Sequence, residues 1–293
     1  MTTDLAGAVS AAIGAPIVEA RRTGGGDVND AWRMTTATGL PLFVKHRGSA
    51  PEGLYRTEAD GLRWLAEAGA LPVPEVVAVL DGPEGTEPRA LVLEWVEPGH
   101  PAPGADEVLG RGLAALHAAG APCFGLASDN FIGPLRQVND PCDTWAELYA
   151  TRRVEPLARR AVDRGLLDPR VGRAVERLAG RMADLVGPVE PPARLHGDLW
   201  RGNVHHGADG VARLVDPAVY GGHREVDLAM MRLFGGFGAR CFAAYAEAAP
   251  LAAGHEDRVA LHQLYPLLVH VLLFGGGYVA SFEEALARYV PLR

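Results

Sequence analysis

The chain has 293 residues, of which 48% are hydrophobic and 22% are charged. A chain of this length and composition can bury a large core in one or two domains, which excludes intrinsic disorder. Its 28 basic and 36 acidic side chains give a net charge of −8, and that balance argues against binding to a phosphate backbone. We therefore expect no nucleic-acid partner.

No segment of the sequence has the pattern of a membrane anchor or a secretory signal. The longest apolar run, 264–274, has eleven residues interrupted by a proline and a histidine, which is too short to span a bilayer. Residues 1–14 lack the basic start of a signal peptide. We therefore expect a cytoplasmic protein with no membrane partner. The sequence also contains three widely spaced cysteines, for which we expect reduced thiols: Cys123, Cys142 and Cys241.

The first hundred residues alternate short β-like runs with one helix. Strands are predicted at Pro41–Lys45, Val76–Leu80 and Ala90–Val96, and the last two have the pattern of a hairpin. A helix is predicted at Tyr55–Ala68, with Glu58 in its first turn and a glycine after its end.

Beyond residue 100 the hydrophobic periodicity is mostly helical. A helix is predicted at Asp106–Ala119, where apolar residues recur at helical spacing. A T-x-x-E capping box opens a helix over 144–165, and Asp168 before a proline opens another. Helical periodicity returns near the C-terminus, where Pro266 is expected to kink its helix. The change from strand-like runs to helical periodicity indicates two lobes with a boundary near Pro98.

An acid and an amide five residues apart flank a turn in the second lobe. Asp198 and Asn203 belong to the run H-G-D-L-W-R-G-N at 196–203, and Asp216 follows a strand predicted at Val211–Val215. A phosphoryl-transfer enzyme needs one carboxylate to orient and deprotonate the acceptor hydroxyl, and oxygen ligands to hold magnesium on the nucleotide phosphates. We therefore predict Asp198 as the base, and Asn203 with Asp216 as Mg²⁺ ligands. The alternative for Asp198 and Asn203 is an ordinary Asx turn with a helix cap.

The N-terminal half carries features that suit the phosphates of the same ligand. Lys45 is the only lysine, since the other 27 basic residues are arginine, and its compact ammonium suits phosphates as a point charge. Glu58 is placed to pair with it, with Glu67 as the fallback, whereas a solvated acid at a helix N-terminus is the alternative for Glu58. The glycine-rich segment 23–30 lets backbone N–H groups approach phosphates closely. Its predicted binding residues are Gly25, Gly26, Asp27 and Asn29.

These motifs resemble those of the fructosamine (ketosamine) kinase family, within the protein-kinase-like and aminoglycoside-phosphotransferase-like group. The short H-G-D and D-P motifs are shared across small-molecule kinases. Three longer motifs are much narrower and indicate the substrate class: H-G-D-L-W at 196–200, D-P-A-V-Y at 216–220 and L-F-G-G-F at 233–237. The resemblance covers nearly the whole chain.

The resemblance implies an α+β, protein-kinase-like fold of two lobes. Residues 1–97 would form a small antiparallel sheet with one helix that binds nucleotide, and residues 98–293 a larger, mainly helical lobe for catalysis and acceptor binding. The implied reaction is phosphorylation of the sugar 3-hydroxyl of a ketosamine, free or protein-bound, by ATP with Mg²⁺, after which the unstable product releases the amine. Lys45 would bind the ATP phosphates. The other residues that the resemblance assigns are Glu94, Trp95 and Val96, as the hinge that faces adenine, and His196 and Asp227, as structural supports.

The acceptor side is where this chain departs from the family pattern. Trp200, two residues after the predicted base, can lay its indole against a sugar ring, with core packing as the alternative. Arg201 stands where serine is usual, Gly221 where a second tyrosine is usual, and Arg232 where glutamate is usual. These departures concern the choice of acceptor, and we predict Trp200 and Arg201 as acceptor-side residues.

Other functions fit parts of the same pattern. Aminoglycosides, choline or homoserine-like alcohols are alternative acceptors, because the catalytic residues would be identical. A nucleotide-binding pseudokinase is disfavoured because all the catalytic groups are present, and the short segment between Asp216 and Arg224 disfavours a protein kinase with an activation loop. A zinc or iron hydrolase is disfavoured because the adjacent His205 and His206 would face opposite ways on a strand. The sequence leaves monomer and homodimer open.

Overall fold

The computed structural model describes residues 2–24, 30–82 and 88–292. Outside these ranges lie the four predicted phosphate-binding residues, Gly25, Gly26, Asp27 and Asn29. Contacts divide the chain into two compact units, Met1–Ala105 with Val204–Ala218, and Asp106–Asn203 with Val219–Arg293. Residues 98–105 and 204–218 thus belong to the same unit as the N-terminal residues. The assignment of nucleotide binding to residues 1–97, and of catalysis and acceptor binding to residues 98–293, stays a prediction.

Within the residues that the structure describes, the first unit contains one sheet, two helices and a short hairpin. Its elements are α1 (Thr2–Ile13), β1 (Ile17–Thr23), β2 (Asp30–Thr36), β3 (Pro41–His46), α2 (Leu54–Glu67), β4 (Val76–Leu80), β5 (Ala90–Glu94), β9 (Val204–His206) and β10 (Ala212–Leu214). The sheet has five antiparallel strands in the order β1-β2-β3-β5-β4, and β9 pairs with β10. The small antiparallel sheet expected in the N-terminal part is therefore present.

Alternation along β3 places Lys45 on the face of the sheet that α1 does not cover. Leu42 and Val44 belong to a core that also contains Leu5 and Val9 of α1. Because successive side chains on a strand point to opposite faces, Lys45 faces the other way, beside α2. The alternation of side chains along β3 is therefore enough to place Lys45 on the buried face of the sheet beside α2.

The second unit is mainly helical, with two short antiparallel strand pairs, β6 with β7 and β8 with β11. Its elements are α3 (Ala105–Ala118), β6 (Asn130–Ile132), β7 (Leu135–Gln137), α4 (Trp145–Leu148), a π-helix (Tyr149–Val154), α5 (Glu155–Asp163), α6 (Pro169–Ala179), α7 (Met182–Leu185), β8 (Ala193–Leu195), a 3₁₀ turn (Arg201–Asn203), β11 (Tyr220–Gly222), α8 (Glu225–Leu233), α9 (Ala239–Ala248), α10 (His255–His262), α11 (Leu264–Phe274) and α12 (Gly277–Ala287). The α+β class is confirmed, and none of the helices in the described ranges is long and apolar enough to cross a bilayer.

Most predicted elements are confirmed to within a residue or two. The two helix caps are also as predicted, since Thr144 Oγ1 accepts from the N–H of Glu147 at 3.2 Å and Asp168 Oδ1 accepts from the N–H of Arg170 at 2.8 Å. The three cysteines are free thiols.

Two local predictions are wrong. Glu58 lies in the second turn of α2, because that helix begins at Leu54, after Gly53 in a left-handed conformation with φ 83°. Pro266 does not kink a helix interior, because α10 ends at His262 and α11 begins two residues later. Pro266 then falls in the first turn of α11, where its missing N–H costs no intrahelical hydrogen bond.

Replacing Gly221 in β11 by alanine is expected to lower the free energy of unfolding by about 1–3 kcal/mol. The N–H and carbonyl of Gly221 both bond to Gly125, at 2.8 and 2.9 Å. A Cβ on Gly221 would lie 2.0 Å from the carbonyl oxygen of Cys123, which is backbone and moves only at a cost. This close packing requires glycine where the family resemblance gives tyrosine. Calorimetric unfolding of the purified variant measures the effect.

Gly7→Ala is the matched control for that substitution. Gly7 is exposed in the middle of α1, and a Cβ there would meet nothing within 4 Å. Alanine should therefore stabilise the protein, by about 0.4–1 kcal/mol. A destabilisation of equal size at both positions would contradict the role given to close packing at Gly221.

Candidate active site

The side chain of Lys45 is buried between two carboxylates of the first unit. Its Nζ donates to Glu58 Oε1 at 2.8 Å and to Asp216 Oδ1 at 2.8 Å. The side chains of Lys45 and Glu58 are 7% and 11% exposed, whereas that of Asp216 is 42% exposed. The ion pair between Lys45 and Glu58 that the sequence analysis expects is therefore present, and Glu67, the fallback partner, lies exposed on α2.

The cluster holds more negative than positive charge. Burial alone lowers the pKa of Lys45, but the charges of Asp216 and Glu58 outweigh burial and raise that pKa above its usual value. Burial raises the pKa of Glu58, and the nearby Asp216 adds to this effect, although Lys45 opposes both. One ammonium shared by two carboxylates leaves a net charge of about −1 at neutral pH. The more exposed partner, Asp216, is the one that a cation from solvent can reach.

Asp216 has an unusual backbone conformation. It follows β10, and its φ of 55° is the only positive value for a non-glycine residue in the described ranges. A left-handed conformation costs a residue with a Cβ about 1–2 kcal/mol, and such conformations cluster at functional sites. The turn therefore orients the Asp216 carboxylate towards Lys45, and the backbone conformation that does so is unfavourable for a residue with a Cβ.

The turn that carries Asp198 is held by a buried carboxylate of the second unit. Asp227 Oδ2 accepts from the N–H of His196 at 2.8 Å, and its Oδ1 accepts from the N–H of Gly197 at 2.9 Å. The ring nitrogen Nδ1 of His196 accepts from the N–H of Asp198 at 3.2 Å. Gly197 has φ 84°, a conformation that glycine adopts without strain. His196 and Asp227 are both fully buried and fix the backbone on either side of this turn.

Asn203 contacts Asp198 directly. Its Nδ2 donates to the carbonyl oxygen of Asp198 at 2.7 Å and to the carboxylate Oδ2 at 3.2 Å. Because the amide nitrogen faces Asp198, the amide oxygen points the other way. The 3₁₀ turn Arg201–Asn203 thus sets both the orientation of the base and the direction of an oxygen that suits a hard cation.

Trp200 and Arg201 lie on the surface of the second unit. The indole of Trp200 is 40% exposed and meets Phe234 edge to face, at 6.3 Å between ring centroids. It covers Gly202, where a Cβ would come within 2.2 Å of the indole. The aliphatic stem of Arg201 packs beside Gly236. An indole with this exposure is not an ordinary core residue, and both side chains are accessible on the surface that begins at the Asp198 turn.

The predicted hinge residues begin with Glu94, the last residue of β5, and continue to Val96. The N–H of Glu94 donates to the carbonyl of Glu75 at 2.9 Å, which continues the sheet to its end. Trp95 Nε1 donates to Glu97 Oε2 at 2.8 Å, and the indole packs on Phe43. The carbonyl of Val96 lies 3.2 Å from Nε2 of His205. His205 is therefore engaged with the backbone of this segment.

A buried cluster that the sequence analysis missed has atoms at metal-ligand spacing. Within the described ranges, one group of at least three such side chains has ligand atoms within 4.8 Å of one another: His223, Glu225 and His262. Arg258 already donates to both carboxylate oxygens of Glu225, at 2.6 and 2.8 Å. Trp145 Nε1 donates to His262 Nε2, and the N–H of Glu225 donates to His223 Nδ1. One nitrogen of each ring thus already accepts a hydrogen bond, and Arg258 neutralises the carboxylate, so this cluster does not support the hydrolase alternative.

Two further residues of this region were also missed. His117 on α3 and Tyr245 on α9 lie behind Asp227, and the carboxylate accepts from His117 Nε2 at 3.2 Å. The available signal was a polar residue on an apolar helix face, because His117 follows Leu113 by four positions.

A family model described as fructosamine kinase matches residues 1–291. The chain belongs to the fructosamine kinase family. A crystal structure described as that of a fructosamine-3-kinase from Thermobifida fusca is 44% identical, with a TM-score of 0.88 over 97% of this chain and 98% of that one. A chloroplastic protein-ribulosamine 3-kinase of Oryza sativa is 34% identical over 92% of this chain and 78% of its own length.

This fructosamine kinase family member also shares its fold with more distant kinases. A choline kinase from Streptococcus pneumoniae matches 99% of this chain and 98% of its own with a TM-score of 0.65, at 16% identity, which shows the fold alone. The protein-kinase-like fold expected from the motifs is therefore confirmed. As a member of a kinase family, the chain is an ATP-dependent phosphotransferase with an alcohol acceptor, and ATP is its phosphoryl donor.

Proposed function

We propose that this fructosamine kinase family member transfers the γ-phosphoryl group of ATP to the sugar 3-hydroxyl of a ketosamine, the adduct of a reducing sugar and an amine. The observation that carries the proposal is the buried Lys45 ammonium, shared by Glu58 and Asp216 at 2.8 Å each. The choice of ketosamines is supported by the family match and by relatives that bear the names of ketoamine and ribulosamine kinases.

On the donor side, Lys45 would neutralise the phosphates of ATP as a point charge. Glu58 would hold the ammonium in place, because its carboxylate is nearly as buried as Lys45 itself. We assign Glu94, Trp95 and Val96 to the adenine side, and the segment 25–29 to the phosphates. These assignments follow the family motifs, and with them the nucleotide would bind in the N-terminal lobe, 1–97.

Asp216 and Asn203 would hold Mg²⁺. The donor set fits a hard cation, because it offers a carboxylate oxygen in a cluster with excess negative charge and an amide oxygen directed away from Asp198. When bound, Mg²⁺ neutralises charge that develops on the phosphoryl group during transfer. Asp216 keeps its orientation through Lys45, and Asn203 keeps its own through Asp198.

On the acceptor side, the Asp198 carboxylate would accept the proton of the sugar 3-hydroxyl while the hydroxyl oxygen bonds to the γ-phosphorus and ADP leaves. Asn203 donates to Asp198 Oδ2, so that carboxylate keeps one orientation. Trp200 would lie against the sugar ring, and Arg201 would contact the part of the acceptor beyond it. These roles belong to the lobe 98–293.

An acceptor panel tests the proposed function. The purified protein with Mg²⁺ and ATP is expected to phosphorylate fructosamines or ribulosamines at O3 and to leave choline, homoserine and aminoglycosides unchanged. Two matched acceptors sharpen the test: fructose, which lacks the amine, and a psicosamine, which differs from the fructosamine only in the configuration at C3. Phosphorus NMR of the product identifies the phosphorylated oxygen. Activity confined to a non-ketosamine alcohol would overturn the proposal.

The same assay separates free from protein-bound ketosamines. A glycated lysine derivative and a glycated protein are offered at equal concentrations of adduct, and phosphate incorporation is followed for both. The ratio of kcat/KM values defines which class the enzyme serves, and gel filtration of the active material gives the number of chains that assemble.

A further inference from the structure

A buried chain of hydrogen bonds extends behind the turn that carries Asp198. His117 is 4% exposed, and its Nδ1 lies 2.8 Å from the hydroxyl of Tyr245, while its Nε2 lies 3.2 Å from Asp227 Oδ2. Tyr245 is 1% exposed, and its ring meets the imidazole edge to face at 5.5 Å. All three residues belong to the second unit, as does the turn that Asp227 holds.

The direction of the hydrogen bond to Asp227 follows from which groups can donate. An ionised Asp227 can only accept, so Nε2 of His117 carries a proton and donates. The other ring nitrogen, Nδ1, forms a hydrogen bond with the hydroxyl of Tyr245, which can donate or accept. The chain therefore links Tyr245 through His117 to Asp227, and its last bond runs from His117 Nε2 to the carboxylate.

The last link of this chain shares an oxygen with the turn. Asp227 Oδ2 accepts both from His117 and from the N–H of His196, and the other carboxylate oxygen accepts from Gly197. Burial alone raises the pKa of Asp227, but the hydrogen bond from His117 and the charges and N–H groups around it lower that pKa below its usual value. A carboxylate held by two backbone N–H groups and an imidazole cannot rotate without losing a buried hydrogen bond.

We propose that His117 and Tyr245 are positioning residues for the base Asp198 and act through Asp227. They touch neither ATP nor the acceptor in this assignment. Their effect is to fix the carboxylate that fixes the backbone of 196–198, and small displacements of a catalytic group cost much more rate than binding. The inference rests on the proposed function only in taking Asp198 as the base.

Three variants test the positioning role: Tyr245→Phe, His117→Gln and His117→Leu. His117→Leu removes the donor to Asp227 and should lower kcat about tenfold to a hundredfold, with KM for ATP and for the acceptor within about twofold of wild type. His117→Gln keeps an N–H at the position of Nε2 and should recover most of that loss. Tyr245→Phe should lower kcat by a smaller factor, and the same change in the His117→Leu background should have no further effect.

Tyr149→Phe is the matched control. Tyr149 is a fully buried tyrosine of the same unit whose hydroxyl donates to the carbonyl of Leu261 at 2.7 Å. It has no part in the chain to Asp227, so its loss should lower Tm and leave kcat per folded enzyme unchanged. The proposal is overturned if Tyr245→Phe and Tyr149→Phe behave alike, or if His117→Gln is no better than His117→Leu. Should His117→Leu fail to fold, the comparison of Tyr245→Phe, His117→Gln and Tyr149→Phe decides alone.

The failure of this inference is distinguishable from the failure of the proposed function. All variants are assayed with whichever alcohol the acceptor panel shows to be turned over. A wrong acceptor class would then change the substrate used but not the pattern of kcat losses. A correct acceptor class with unchanged kcat in all three variants would overturn the positioning role alone.

Discussion

Asp198→Asn is expected to lower kcat by about 10²- to 10⁴-fold while the dissociation constant for ATP changes by less than about twofold. The amide has the shape of the carboxylate and can still accept the hydrogen bond that Asn203 donates to Oδ2 at 3.2 Å. It cannot take the proton of the acceptor hydroxyl. Because Lys45, Glu58 and Asp216 belong to the other compact unit, the donor side is untouched by the substitution. Single-turnover kinetics and calorimetric titration with ATP measure the two quantities.

Asp198→Ala provides the companion to that experiment. It removes the same base and also takes away the side-chain partner of the Asn203 amide, which keeps its bond to the backbone carbonyl of residue 198, so kcat should fall at least as far as in Asp198→Asn. The difference between the two variants reports what the hydrogen bond to Asn203 contributes to orientation. Turnover near the wild-type level in Asp198→Asn would exclude a base role for this residue, and a parallel loss of ATP binding would indicate that the residue belongs to the donor side.

The parts of the site that sequence reasoning could find are those in which the chemistry fixes the residue type at a fixed spacing. Lys45 was found because it is the only lysine in an arginine-rich chain, and Glu58 because a buried ammonium needs an anion nearby. Strand period then determines which face of the sheet the lysine occupies. Glu58 was therefore correctly predicted as the partner of Lys45, even though it lies one turn further along α2 than predicted.

The parts that could not be found depend on contacts between distant segments. His117 and Tyr245 are 128 positions apart and look like ordinary members of an apolar helix face until α3 and α9 are packed together. The π-helix at Tyr149–Val154 interrupts what periodicity presents as one continuous helix. The positive φ of Asp216 is set by the turn after β10, and an aspartate, although it tolerates this conformation better than most residues, does not reveal it from the sequence alone. α1 was missed because its alanine-rich sequence has few charged residues to mark a polar face.

Lys45→Met is expected to abolish turnover and to lower the free energy of unfolding by about 3–5 kcal/mol at pH 8. The Nζ of Lys45 lies 2.8 Å from Glu58 Oε1 and 2.8 Å from Asp216 Oδ1, and Glu58 is 11% exposed. The variant leaves a buried carboxylate without its ammonium, whereas Asp216, which is 42% exposed, can be solvated. The cost therefore arises mainly at Glu58, and denaturant unfolding measures it.

The pH dependence of that loss identifies its origin. Burial already raises the pKa of Glu58, and without Lys45 that pKa rises further above its value in the unfolded chain. A group whose folded-state pKa is raised supports stability at low pH and loses that contribution as the pH rises through the folded-state pKa. The deficit of Lys45→Met relative to wild type should therefore shrink as the pH falls from 8 towards 5. A deficit independent of pH would mean that packing, not the unpaired carboxylate, causes the loss.

Adding Glu58→Gln to Lys45→Met separates stability from activity. The neutral amide no longer needs a counter-charge, so the double variant should regain most of the unfolding free energy at pH 8 and should lose the pH dependence of the single variant. It should remain inactive, because no ammonium faces the phosphates of ATP. If the double variant recovered turnover together with stability, Lys45 would be a structural cation and the donor side of the proposed reaction would have to lie elsewhere. Stability regained without turnover assigns the ammonium to the nucleotide.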